Sequence, residues 1–167
     1  VYATPPVLAT VRLKASALME IKPEQLDDIL DIHCLKEDKW NRINGMEVRP
    51  TMSPHPLETT ILTFRAGRPK RTYSHWADII SMKILDDFIT DDGITREFRN
   101  RVQEEYLVPA DVKKIDAGRG LIHGFAEDFE KDRSEVVILS HTEGGPREGE
   151  LAYGKAVDFG DTDILIP

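Results

Sequence analysis

At Pro109 the spacing of apolar residues changes period, and that change limits the folds open to the chain. Before it, apolar residues recur every three or four positions, as in Ile94, Phe98, Val102 and Tyr106, which is the spacing of one helix face. After it come short runs rich in β-branched residues, at 112–115, 120–125, 135–140, 151–159 and 163–166, most of them separated by glycine. Such runs read as strands. Helices followed by a series of strands imply an α+β fold. The expected architecture is a largely antiparallel sheet, strand-rich in the C-terminal half and covered on one face by two or three amphipathic helices. Residues 136–139 are apolar without alternation, which predicts a strand in the middle of the sheet, covered on both faces.

The N-terminal half is read element by element. Residues 7–13 read as a strand after the extended Thr4-Pro5-Pro6. Pro23 opens a helix carrying Leu26, Ile29, Leu30 and His33 on one stripe, and Gly45 serves as its terminator. Residues 59–64 read as a further strand. Ser74 is placed as the cap of a helix over 75–89, whose apolar side holds Trp76, Ile79, Ile80, Ile84 and Phe88. Asp91-Asp92-Gly93 turns the chain into a third helix, which Pro109 ends.

The 167 residues fit a single domain spanning 1–167, and 40% hydrophobic with 31% charged residues is globular composition. A net charge of −8 argues against coating nucleic acid or an anionic membrane through overall charge. Cys34 is the only cysteine, which excludes an internal disulfide and any multi-cysteine metal site, and favours the cytoplasm or another reducing compartment. The apolar runs are too short to span a bilayer. The chain begins at Val1 and ends at Pro167. It therefore reads as a domain excised from or processed out of a larger polypeptide, with a protein partner or a second copy as the expected neighbour.

Three groups of residues carry the chemistry. Arg65, Arg68, Lys70 and Arg71 place four cations within seven residues of an acidic chain, and His75 follows. Placed before a helix start, they suit a bound phosphate or carboxylate, and Tyr73 and Trp76 offer faces for a base. The second group is the polar, glycine-rich loop after Ser140. His141 there is a candidate base or ligand, with Glu148 or Glu150 as partner, and His123 is an alternative base. Third, Asp158, Asp161 and Asp163 are weak candidates for a divalent cation, without the ligand spacing of an EF-hand. No P-loop, dinucleotide fingerprint or Gly-x-Ser-x-Gly elbow is present, and the sequence implies no cofactor.

Three functions fit these features. The main reading is a non-enzymatic interaction domain, a component of a larger assembly with a basic anion-binding loop. One alternative is a hydrolase or transferase acting on a phosphate-bearing substrate through a His/Glu site. The other is a nucleic-acid-binding module that uses residues 65–71. The enzyme reading requires the loop after Ser140 to fold back toward the basic loop, and it fails if the two lie at opposite ends of the sheet.

Overall fold

A computed structural model describes residues 1–142 and 145–156. It is an α+β structure in which six strands form one mixed sheet, in the order β3-β4-β5-β6-β7-β8. These are β3 (Asn41–Ile43), β4 (Met46–Met52), β5 (Thr60–Ala66), β6 (Arg71–His75), β7 (Val112–Asp116) and β8 (Val136–Ser140). The first four are joined as antiparallel neighbours, while β6, β7 and β8 run parallel. A separate parallel pair joins β1 (Tyr2–Ala3) to β2 (His33–Cys34).

Local chemistry explains the elements that depart from expectation. Residues 7–13 are helical, within α1 (Pro5–Met19), because Pro5 and Pro6 occupy the first helical positions, where a missing N–H costs nothing. Leu8 and Ser16 mark its buried stripe. The expected helix after Pro23 is only a 3-10 turn over Pro23–Asp28, and His33 lies in β2. Asn44 and Gly45, with φ of 47° and 87°, make the tight turn between β3 and β4. Both residues tolerate the left-handed backbone that such a hairpin requires, so Gly45 ends no helix.

The helix expected over 75–89 is also shorter. Residues 71–75 form β6, an irregular segment follows, and α2 spans only Met82–Asp87, capped by Ser81 accepting from the Ile84 N–H at 3.2 Å. Trp76, Ile79 and Ile80 are buried from that irregular segment. The third helix forms as expected: α3 (Arg96–Tyr106) is capped by Thr95 and carries Phe98, Val102 and Tyr106 inward.

The core lies between the sheet and the α2–α3 hairpin. Trp76 meets Tyr106 and Phe129 edge-on, with ring centroids 5.0 and 5.6 Å apart. Ile115 and Leu139, opposite one another on β7 and β8, close it from the sheet side. Among the described residues β8 is the last strand of the named sheet, and its outer edge bridges Ile138 to Lys155. Within the run 136–139 only Leu139 is fully buried, the other three being half-buried. Residues 120–125 form a loop, and Glu150–Ala152 is a 3-10 turn where a strand was expected to start. Residues 157–167, including the strand expected at 163–166, lie outside the described residues. Among the described residues, no helix is long and apolar enough to cross a membrane.

Candidate metal centre

The parallel strands β6, β7 and β8 all end on the same side of the sheet, and four ionisable residues meet there. Asp116 is the last residue of β7, and its side chain is fully buried. His141 directly follows β8, Asp78 lies three residues after β6, and His123 sits in the loop after β7. One ligand atom from each falls within 4.8 Å of all the others.

Asp116 organises the group. Its Oδ2 accepts the Ile79 N–H at 3.1 Å and lies 2.9 Å from Nδ1 of His123. Its Oδ1 accepts the Gly118 N–H at 2.9 Å and lies 3.2 Å from Nδ1 of His141. Backbone donors thus hold the carboxylate in place, and each oxygen faces one imidazole. Asp78 Oδ1 approaches the same His141 nitrogen at 3.4 Å. Access increases outward, the side chains of His123 and Asp78 being 28% and 41% exposed.

Two backbone features show that the arrangement is built locally. His141 adopts φ of 58°, a left-handed conformation unusual for a residue with a side chain. Such outliers persist where the surroundings over-determine them, which happens most often at functional sites. Gly118 lies so close to the pair that a Cβ there would stand 2.9 Å from His123 Cγ and 3.0 Å from His141 Cβ.

Two carboxylates and two imidazoles form a mixed oxygen and nitrogen donor set, suited to zinc, iron or manganese. The same groups also satisfy one another as a hydrogen-bonded network. What exceeds a network is the closeness of all four donor atoms around one point, with Asp78 and His141 open to solvent.

The candidates read from the sequence separate into two regions. His123 and His141 come together, with ring centroids 5.3 Å apart. Among the described residues neither meets a glutamate: Glu150 is buried against Arg119, whose Nε lies 2.7 Å away and whose hydrogen bond holds the carboxyl below its usual range. Glu148 is exposed on a turn. Asp158, Asp161 and Asp163 lie outside the described residues.

The basic cluster is the hairpin between β5 and β6 and precedes no helix, so the helix-terminus argument for an anion there does not apply. It sits at the opposite end of β6 from His141. Most of its charge is matched: Arg65 and Lys70 both bind Glu47, whose carboxyl drops to about 2, and Arg71 binds Asp111 at 2.7 Å. His75 belongs to β6 rather than to a helix start, with Nδ1 3.1 Å from the Tyr73 hydroxyl. Burial, with smaller contributions from Lys114 and His141, pushes the His75 pKa down.

Asp78 and Asp116 escape a reading of sequence alone. An aspartate closing a strand looks like any turn residue. For Asp116 the usable signal is the end of the strand expected over 112–115, whereas Asp78 falls within the segment read as a helix over 75–89.

No family model matches the chain, and no curated protein matches it in sequence. Among solved structures it is similar to the metallo-beta-lactamase fold protein YhfI from Bacillus subtilis, at 12% identity and a TM-score of 0.49. The match covers 80% of this chain and 57% of that one, so the chain spans a little over half of its length. A likeness this distant carries no functional argument, and the reading below rests on the site's own residues.

Proposed function

We propose that the chain is a metal-assisted hydrolase with Asp78, Asp116, His123 and His141 as its ligand set. The observation that carries this reading is the meeting of those four donor atoms within 4.8 Å at the carboxyl ends of parallel strands. Ligand sites of open α/β sheets favour that edge, because the loops leaving the strands diverge there. A bound divalent ion would supply an activated water at neutral pH and polarise the bond to be cleaved. Asp116, fixed by two backbone N–H groups, orients the imidazoles from behind, while His141 and Asp78 face solvent and approaching substrate.

This reading replaces the expected His/Glu pair by His/Asp, and it gives up the basic loop as the anion holder, because that loop lies at the opposite end of β6. It is better supported than a purely structural role in an assembly. A buried carboxylate between two imidazoles, beside a strained residue, costs stability without helping to close the core.

The test is hydrolysis of bis(p-nitrophenyl) phosphate by chain loaded with zinc or manganese. Turnover should disappear with EDTA, return on adding the metal back, and be lost in His141→Ala. A rate indifferent to EDTA, or equal in the variant, would overturn the reading.

A further inference from the structure

A second region, at the β5–β6 hairpin, has the features of a ligand site. Phe64 and Tyr73 face each other across β5 and β6 in direct register, so both rings lie on one face of the sheet. Their centroids are 6.1 Å apart and their planes differ by only 18°. Both residues are half-buried. Together they floor a cavity of about 550 Å³ whose remaining walls are Ala66, Gly67, Arg68, Pro69 and Arg71.

The charges around this cavity differ in kind. Arg71 is held by Asp111 at 2.7 Å and Glu135 at 3.3 Å, which fixes its guanidinium at the rim. Arg68 is exposed and makes no side-chain hydrogen bond or ion pair among the described residues. Around the hairpin, Arg42, Arg65, Arg68, Lys70 and Arg71 outnumber the carboxylates of Glu47, Asp111 and Glu135. An otherwise acidic molecule is therefore locally positive beside an aromatic floor.

We infer that this cavity binds a flat aromatic anion of the nucleoside monophosphate class, its ring on Phe64 and Tyr73 and its phosphate on Arg68. An aromatic floor accepts any flat π-system. A guanidinium without a protein partner gains most from a phosphate, which it can grip with two N–H groups. Four residues at about 3.3 Å each put roughly 13 Å between the Cα atoms of Arg71 and His75, so a phosphate on Arg68 would sit at the hairpin end of β6.

Calorimetric titration of the full chain with AMP and with adenosine, both in EDTA, tests this independently of any bound metal. AMP should bind about tenfold more tightly than adenosine, one charge-assisted contact being worth that much. Arg68→Ala should bring AMP down to the adenosine level. Tyr73→Leu should weaken both ligands, and circular dichroism matching the unaltered chain would show that the loss is local. Equal affinity for AMP and adenosine, no effect of Arg68→Ala, or no heat at millimolar AMP would each overturn the inference. An affinity that rises steadily along a series of longer oligoadenylates would overturn it too, in favour of a single-strand groove.

Discussion

Lys113 carries its charge into the aromatic core. Its side chain is fully buried, and Nζ lies 5.6 Å from the Trp76 ring and 5.8 Å from that of Phe129. It donates to the Tyr106 carbonyl at 3.0 Å and pairs with Asp132. Burial lowers its pKa, and the hydrogen bond it donates to Asp132 works against that fall. Breaking such a pair from one side leaves a bare charge inside, so Asp132→Ala should cost about 3–5 kcal/mol in urea unfolding. The double variant Lys113→Met/Asp132→Asn removes the ammonium and keeps an acceptor for the Ser134 N–H, and should recover most of that loss. A cost below about 1 kcal/mol for Asp132→Ala would contradict this account of the pair. The residue scale also shows how far the sequence can be read. His123 and His141 stand out because histidines are few. Asp116 does not, because the two N–H groups that fix it belong to Ile79 and Gly118, and only folding brings the first of them near.

Elements were legible where one buried stripe faces one layer. The α3 helix is the clear case, with Phe98, Val102 and Tyr106 spaced by four and Thr95 capping its start. The segment after β6 was misread because Trp76, Ile79 and Ile80 also fall at helical spacing. They are buried because the segment itself passes through the core, not because it is coiled. Likewise the two prolines before Val7 suit both an extended segment and the first turn of a helix, and packing on the 3-10 turn at Pro23–Asp28 decides for the helix. The loop from β7 to His123 yields a prediction at this scale. Gly118→Ala would push a methyl group against His123, His141 and Asp116 Oδ1, the last 3.1 Å away. Zinc affinity measured by competition with a chromophoric chelator should fall at least about tenfold, the usual effect of disturbing the groups that orient metal ligands. The melting temperature should change little, since Gly118 itself lies outside the hydrophobic core cluster. Unaltered affinity would mean that the loop does not position the histidines.

At the scale of the molecule, the α+β class followed from composition and periodicity, while the strand order did not. Pairing of β6 with β7 joins residues on either side of the whole α2–α3 hairpin, and nothing local encodes that register. That pairing is also what makes the site: three parallel strands end together, and their loops deliver two aspartates and two histidines to one point. The antiparallel part of the sheet carries the basic hairpin to the other end. The molecule thus has two chemically distinct ends, an acidic and imidazole-bearing one and a cationic, aromatic one. Whether the first end holds a metal ion is answered by equilibrium dialysis against zinc, with bound metal counted per chain. At least one zinc ion should bind per chain, lost in both Asp116→Asn and His141→Ala and retained in His55→Ala, with all three variants folded by circular dichroism. A chain that binds no zinc, or variants that bind as much as the unaltered protein, would contradict a metal centre there.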